Sequence, residues 1–328
     1  MAPDAATLVD EPSALLPELT LLEHTVLNPL KNFRALSKQV RREIARSYLY
    51  EQAPEHLREF PQMCCYSFDY LGIGLNVDGR CDREALEYLL ALVAPRIKGR
   101  TIVDVGANIG NHSAAFAEVS GKVIAFEPHP TTFQLLKLNL SRFDNVLVLP
   151  IGASDHTGVV RALSPKLNYG ATAITDRQAA DNESEWTFPV APIDDQQAIA
   201  GADVALMKFD VEGHEPSALR GSAQTIARNK PIIIFEQNLE SIDDGTSESL
   251  EIVKSFGYTH FYALDVAMPW RSPQWLPGPV RKLARIAESL IFGPVEYCAT
   301  FAPVDRLEVR HYPMLIASME PLRPIGPS

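Results

Sequence analysis

A buried-strand pattern followed by a glycine-containing turn constrains this chain more than any other feature. Residues 101–110 read TIVDVGANIG, and residues 123–128 read VIAFEP. The first run predicts a buried strand, a turn and the start of a helix, and the second predicts a neighbouring strand that ends in an acid. This layout is typical of a nucleotide-type cofactor site at the edge of a parallel sheet.

Five short apolar runs predict the strands of one sheet. They begin at Ile102, Val123, Val146, Val204 and Ile232. Helical patterns lie between some of them, at 111–119, 131–141 and 216–228. This alternation predicts an α/β protein with a mostly parallel sheet and helices on both faces. Runs at Tyr258 and Pro313 add two strand candidates, whereas residues 66–77, with Gly72 and Gly74, predict a short hairpin or paired strands.

The composition favours a soluble globular protein. With 328 residues and 46% hydrophobic content, the chain can bury a full core. Its 41 acidic residues outnumber its 30 Lys and Arg residues, and the formal net charge of -11 argues against a nucleic acid as the main partner. The four cysteines lack zinc-ligand spacing, and neither a leader peptide nor a membrane-spanning run is visible, so we expect reduced thiols and a cytoplasmic location. The oligomeric state stays open.

Four carboxylates are expected to converge at one edge of the sheet. Asp104, Glu127, Asp210 and Glu236 each lie at or just beyond the end of a strand-like run. Parallel strands share one carboxyl edge, and ligands of open α/β sheets bind there. The alternative is that each acid caps the next helix or faces water, but the recurrence at four strands favours a shared crevice.

The turn after the first strand favours a cofactor without phosphate groups. Glu127 lies 21 positions after Gly106, a spacing that places its carboxylate near the two hydroxyls of a cofactor ribose. A dinucleotide site requires GxGxxG, whose middle glycine lets backbone amides approach the pyrophosphate, but residue 108 is Asn. S-adenosylmethionine, with its adenosine, sulfonium and amino acid end, fits such a turn better, and Asp104 could hold its ammonium group directly or through water.

Seven segments of the chain resemble the FkbM-type methyltransferases, a branch of the class I S-adenosylmethionine-dependent enzymes. They are TIVDVGANIGNHS (101–113), VIAFEPHP (123–130), NVLVLPIGASDHTG (145–158), LNYGATAI (167–174), PIDD (192–195), VALMKFDVEGHE (204–215) and IIIFEQN (232–238). The first segment and DVEGHE are the most specific. The resemblance implies a Rossmann-like seven-stranded sheet with helices on both faces and, typically, O-methylation of a sugar or another hydroxylated metabolite.

The resemblance covers roughly residues 64–265, and a helical pattern over residues 20–51 lies before it, which suggests a division of the chain. Residues 1–63 would form an N-terminal helical extension with a disordered start, residues 64–318 the methyltransferase domain, and residues 319–328 a flexible tail. An insert at about 266–294, rich in proline and tryptophan, contains a short basic amphipathic helix at 280–292. The insert could form a lid that recognises an anionic or lipid-linked glycan, or make weak contact with a membrane surface. Alternatively, its helix packs on the domain through its apolar side.

The resemblance also implies roles for individual residues. Asp104, Gly106, Asn108 and Gly110 would line the methionine end of the cofactor, Glu127 would bind the ribose, and Gly152 and Ala153 would lie beside the adenine. Asp155 either reaches the adenine amino group or only shapes the turn at 154–158. Asn168, Tyr169 and Glu212 are candidates for contacting the acceptor, and the Tyr169 ring either stacks on a sugar face or packs within the protein.

Methyl transfer to a hydroxyl requires a group that accepts its proton. His214, on the loop after the fourth run, is the first candidate because its unperturbed pKa is about 6.5, although it could equally be a solvated loop residue. Asp210 and Glu236 are the other catalytic candidates. Lys208, inside an apolar strand, either extends to the surface or pairs with Asp210 or Glu236. No residue spacing demands a metal, and none is predicted.

The leading hypothesis is an S-adenosylmethionine-dependent O-methyltransferase that acts on a hydroxyl of a saccharide, a glycoconjugate or a similar metabolite. A nicotinamide-dependent oxidoreductase is disfavoured by Asn108 in the turn. A catalytically silent cofactor-binding domain is disfavoured by the intact acids at the strand ends. The expected partner is therefore a small-molecule or glycan acceptor.

Overall fold

A computed structural model describes residues 29–67, 69–165, 169–175, 177–267, 273, 275–292 and 298–324. The strands are β1 (Thr101–Val105), β2 (Lys122–Phe126), β3 (Val146–Leu149), β4 (Gly152–Ala153), β5 (Gly158–Pro165), β6 (Ala173–Ile174), β7 (Glu183–Ala191), β8 (Val204–Phe209), β9 (Ile232–Gln237), β10 (His260–Ala267), β11 (Cys298–Pro303) and β12 (Tyr312–Ser318). All seven strand candidates of the predicted main sheet are present.

Eight of these strands form one sheet in the order β11-β10-β12-β9-β8-β1-β2-β3. The five strands from β9 to β3 are parallel, and β12 is antiparallel to both of its neighbours. The predicted α/β class is confirmed. An eighth strand, β11, extends the sheet by antiparallel pairing with β10, and a second sheet has the order β4-β7-β5-β6; neither feature was predicted.

Helices cover both faces of the main sheet. The helices of the described ranges are α1 (Pro29–Glu59), α2 (Tyr70–Asp78), α3 (Arg83–Ile97), α4 (Asn111–Val119), α5 (Pro130–Leu140), α6 (Glu215–Arg220), α7 (Ala223–Asn229), α8 (Glu248–Ser255) and α9 (Gly278–Phe292), and those that pack on the sheet include α3, α4, α6 and α8. Successive side chains of a strand point to opposite faces. Accordingly, Ile102 of β1 packs in a core with α3 and α4, whereas Val103 and Val105 pack in another with α6 and α8.

The expected hairpin at 66–77 is wrong, because residues 70–78 form helix α2. The side chain of Asp69 accepts a hydrogen bond from the backbone N–H of Gly72 at 2.6 Å and caps the first turn. Gly79, with a φ of 75°, ends the helix in the left-handed conformation that glycine adopts readily. Capping at both ends therefore stabilises this helix more than Gly72 and Gly74 destabilise it.

Helix α9 confirms the helix predicted at 280–292, but its orientation contradicts packing through an apolar side. Leu283 and Ile291 are 68% and 71% exposed, whereas Glu288 is only 7% exposed. These apolar side chains therefore face outward, whereas Glu288 is buried and Arg281 and Arg285 are half-buried.

No helix in the described ranges is both long and apolar enough to cross a bilayer. The chain separates into two compact units, Met1–Gln52 and Ala53–Ser328. Most of helix α1 belongs to the first unit, and the predicted boundary at residue 64 stays a prediction. The predicted disordered start and the last four residues of the predicted tail lie outside the described residues.

Candidate active site

A cavity of about 560 Å³ opens at the carboxyl edge of the main sheet. Loops after β1, β2 and β8 line it, together with the end of β9 and part of the second sheet. Of the predicted cofactor residues, it is lined by Gly106, Asn108, Glu127, Gly152 and Ala153. Asp210, Glu212, His214, Glu236 and Tyr169 line the same space. The strand ends thus bring most of the predicted site residues together.

The turn after β1 approaches the neighbouring strand very closely. Gly106 has a φ of 79°, and a Cβ atom there would lie 1.8 Å from the carbonyl oxygen of Asp210. Asn108 also has a positive φ, 52°, and its Oδ1 is buried without a hydrogen-bond partner among the described residues. Gly110 lies at the start of α4, where a Cβ would meet Leu136 rather than the cavity.

We expect Gly106→Ala to destabilise the protein by roughly 2–4 kcal/mol, because the new methyl group adds a backbone clash to the strain of a left-handed residue. Gly213→Ala is the matched control. Its φ is 94°, but nothing lies within 4 Å of the added Cβ, so only the conformational cost of roughly 1–2 kcal/mol applies. Urea unfolding of both variants checks this, and equal losses would contradict the close approach.

Glu127 is buried at the end of β2 with both carboxylate oxygens held in place. Its Oε1 accepts from the backbone N–H of His129 at 2.8 Å, and its Oε2 accepts from the backbone N–H of Asn108 at 3.0 Å. A carboxylate has about four lone-pair sites, so further acceptor capacity remains on both oxygens. Burial raises the pKa of Glu127 to about 7, although the two N–H donors oppose the shift.

The amine of Lys208 pairs with two carboxylates and does not extend to the surface. Its Nζ lies 2.9 Å from Asp210 Oδ2 and 3.5 Å from Asp104 Oδ1. Burial opposes the charged amine, but the carboxylates outweigh it and raise the pKa of Lys208. Asp104 is fully buried and also accepts from Ser113 Oγ at 2.6 Å. It does not line the cavity.

A second group of acids also lines the cavity. Carboxylate oxygens of Asp210, Glu212 and Glu236 lie within 4.8 Å of one another, a geometry that a divalent cation could use. Lys208 already supplies positive charge to Asp210. Burial, followed by the neighbouring acids, raises the pKa of Glu212 to about 8. Glu236 Oε1 contacts His311 Nε2 at 2.8 Å.

Sequence reasoning missed His311, which lies just before β12 and far from the other site residues along the chain. It lines the cavity. No local motif marks it, since its position depends on β12 pairing beside β9. A histidine whose ring is oriented by a carboxylate is the usual arrangement of a general base.

His214, the predicted base, also lines the cavity, but its ring nitrogen is engaged elsewhere. Its Nε2 lies 3.1 Å from Ser154 Oγ. Burial lowers the pKa of His214. Asp155 contacts His156 Nδ1 at 2.8 Å and is not among the cavity-lining residues, an arrangement that favours its turn role.

Aromatic side chains form one wall of the cavity. Tyr169 packs between Tyr66 and His129, with ring centroids 4.9 and 5.4 Å apart, and still lines the cavity. His129 is 1% exposed, and its ring centroid lies 4.3 Å from that of Trp186. Burial lowers the pKa of His129 to about 4, so the ring is neutral near pH 7. Asn168, the remaining predicted acceptor residue, lies outside the described residues.

Comparisons with known sequences agree with this site. Residues 104–259 match the model of the methyltransferase FkbM domain. A curated relative, the hexuronic acid methyltransferase AglP of Haloferax volcanii, is 27% identical over 135 residues. The match covers 40% of this chain and 53% of the relative, so this chain spans about half the length of that protein.

The solved structures that resemble this chain have low TM-scores against it. The methyltransferase FkbM from Methylobacillus flagellatus has a TM-score of 0.31 at 20% identity, covering 57% of this chain and 48% of that one. Precorrin 8W decarboxylase from Methanobacterium thermoautotrophicum has a TM-score of 0.38 at 16% identity, covering 72% and 89%.

The family match begins at Asp104 in β1 and ends at residue 259, just before β10. It therefore contains the turn after β1, Glu127, the DVEGHE loop and Glu236, which are the parts of the cavity predicted from the sequence. Residues 104–259, the part of the chain that contains these groups, are therefore similar to the methyltransferase FkbM domain.

Proposed function

We propose that this chain is an S-adenosylmethionine-dependent O-methyltransferase whose acceptor is a hydroxyl of a saccharide or glycoconjugate. The observation that carries the proposal is a single cavity with Glu127 at one side and the Glu236–His311 pair at another. The first can bind the ribose of a cofactor, and the second can accept a hydroxyl proton. The family match favours this activity over a nicotinamide-dependent oxidoreductase or a silent domain.

The residues around the first turn fit such a cofactor. Glu127 keeps acceptor capacity for two ribose hydroxyls, and the unpartnered Oδ1 of Asn108 is a buried acceptor beside it. Gly152 and Ala153 are buried, line the cavity and have small side chains, so a flat ring could lie against them. When bound, S-adenosylmethionine supplies a methyl group already activated on a sulfonium.

The protein's own task is then to orient the acceptor and remove its proton. We infer that His311 is the base, because Glu236 can accept from its Nε2–H and leave Nδ1 as the proton acceptor. Burial, followed by Asp210, raises the pKa of Glu236, whereas His311 opposes this shift. Asp210 and Glu212 also line the cavity and can accept hydrogen bonds from sugar hydroxyls.

Two histidine variants separate the possible bases. We expect His311→Asn to lower kcat by roughly 10²-fold, with an unchanged Kd for the cofactor, because only proton removal is lost. His214→Asn should lower kcat only a few-fold, since that ring contacts Ser154. Single-turnover rates across pH and calorimetric titration provide the two measurements. The opposite ranking would identify His214 as the base.

The acceptor class is tested by direct transfer of a labelled methyl group. The name of the curated relative supports a panel that contains hexuronic acids as well as neutral sugars and their glycoconjugates. We expect incorporation into a hydroxyl of one saccharide, found by mass as one added methyl group. Rates with EDTA and with added Mg²⁺ show whether the three-acid cluster binds a metal. Transfer only to non-saccharide hydroxyls would refute the saccharide assignment but not the methyltransferase.

A further inference from the structure

Helix α9 presents an apolar surface that the described part of the chain leaves exposed. Large side chains on one side of the helix are more than half exposed, namely Leu283, Ile286 and Ile291, and Val280 is nearly so. Val280, Leu283 and Ile286 are spaced by three residues, and Ile291 lies 11 positions, about three full turns, after Val280, so the four side chains share one side of the helix. Glu288, on the other side, is buried against the protein. An exposed contiguous apolar stripe of this kind marks an interaction surface.

The charges around this stripe define the kind of partner. Arg281, Lys282 and Arg285 outnumber the single acid of the helix, Glu288, although the whole chain has a formal net charge of -11, and Arg281 and Arg285 are half-buried. Lys282 is exposed beside the stripe. A second copy of the chain would bring two positive helices together, which like-charge repulsion opposes. An anionic partner surface avoids this repulsion.

Trp275, three residues before the helix, indicates that the anionic partner is the surface of a lipid bilayer. It is 80% exposed. Tryptophan concentrates at membrane–water interfaces, and a basic helix with one apolar side lies in the plane of such an interface. We propose that α9, with Trp275, docks the protein on an anionic membrane surface.

The position of the helix links this surface to the cavity. The segment that carries α9 connects β10 to β11, and its two ends meet where Ala267 pairs with Cys298. Val266, next to that pair, lines the cavity. The two ends of the segment that carries α9 therefore lie beside the cavity, and a membrane docked on this segment could bring a lipid-linked glycan to it. The docking itself does not depend on the proposed methyl transfer.

Vesicle binding by the full chain tests the proposal. We expect the wild type to sediment with vesicles of phosphatidylcholine and phosphatidylglycerol, and far less with phosphatidylcholine alone or at high salt. Leu283→Gln combined with Ile286→Gln should lower the partition coefficient roughly tenfold or more. The matched control is Leu138→Gln combined with Val309→Gln, since both residues are exposed elsewhere on the protein, and it should bind as the wild type does.

Two further readouts decide the outcome without any activity assay. The tryptophan emission should shift to the blue on vesicle addition, and Trp275→Phe should abolish the shift. Circular dichroism confirms that the α9 variant is folded. Equal binding by the α9 variant and the control, no binding by the wild type, or a wild-type dimer that the α9 variant loses would each overturn the proposal.

Discussion

Lys208→Met is expected to destabilise the protein by roughly 3–5 kcal/mol, because it leaves buried carboxylates without their counter-charge. Asp104 is fully buried, and both it and Asp210 lie within ion-pair distance of the Lys208 amine. Methionine fills a similar volume, so the loss reports charge rather than a void. Denaturant unfolding near pH 7 measures the difference.

Lys254→Met is the matched control for this prediction. Lys254 pairs with Glu251 at 2.9 Å, but both side chains are well exposed. Exposed pairs contribute roughly 0–1 kcal/mol, so this variant should unfold almost as the wild type does. Adding Asp104→Asn to Lys208→Met should recover part of the lost stability. Equal effects of the two lysine variants would show that the buried network does not carry the predicted energy.

Glu127→Ala is expected to weaken cofactor binding roughly 10²- to 10⁴-fold. Two charge-assisted hydrogen bonds to ribose hydroxyls are lost, and each contributes roughly 1.5–3 kcal/mol. The Ala substitution also removes the acceptor of two backbone N–H groups. Glu127→Gln is therefore measured as a second variant, because its amide oxygen can still accept one of these hydrogen bonds. Glu240→Ala, an exposed acid outside the cavity, is the control. Unchanged affinity in the folded Ala variant would remove the ribose assignment.

The pKa of Glu127 adds a pH dependence with a definite sign. Burial raises this pKa to about 7, so the carboxyl is largely protonated below that value in the absence of cofactor. Ribose hydroxyls favour the ionised form. Cofactor affinity should therefore rise as the pH increases from about 6 to about 8. The free energy of unfolding of the cofactor-free protein should instead fall as the pH rises toward about 7. Folding raises the pKa of Glu127, so the folded protein is stabilised by the protonated carboxyl and loses this stabilisation when the carboxyl ionises. Calorimetric titration and thermal unfolding across this range measure both trends.

Patterns of buried apolar residues were sufficient to predict seven of the eight strands of the main sheet. Strands β1, β2, β8 and β9 are almost completely buried, so their sequences are short continuous apolar runs. Because these strands are parallel, acids at their ends necessarily lie on one edge. The meeting of Glu127, Asp210 and Glu236 in one cavity follows from that rule.

Features that depend on tertiary pairing were not predicted. Strands β5 and β7 of the second sheet are mostly half-buried or exposed, so their sequences lack a clear apolar run. His311 joins the site only because β12 inserts beside β9. The orientation of α9 could not be predicted either, since an amphipathic pattern shows that a helix has two sides but not which side faces the protein. Helix α2, by contrast, could have been predicted from the sequence, because Asp69 and Gly79 are typical capping residues at its two ends.

A crystal structure with bound S-adenosylhomocysteine tests the central claim most directly. The account predicts the adenosine in the cavity at the carboxyl edge of the main sheet, with both ribose hydroxyls within hydrogen-bond distance of the Glu127 carboxylate. Cofactor bound elsewhere, or a ribose that contacts other groups while Glu127 keeps only its two backbone donors, would contradict it.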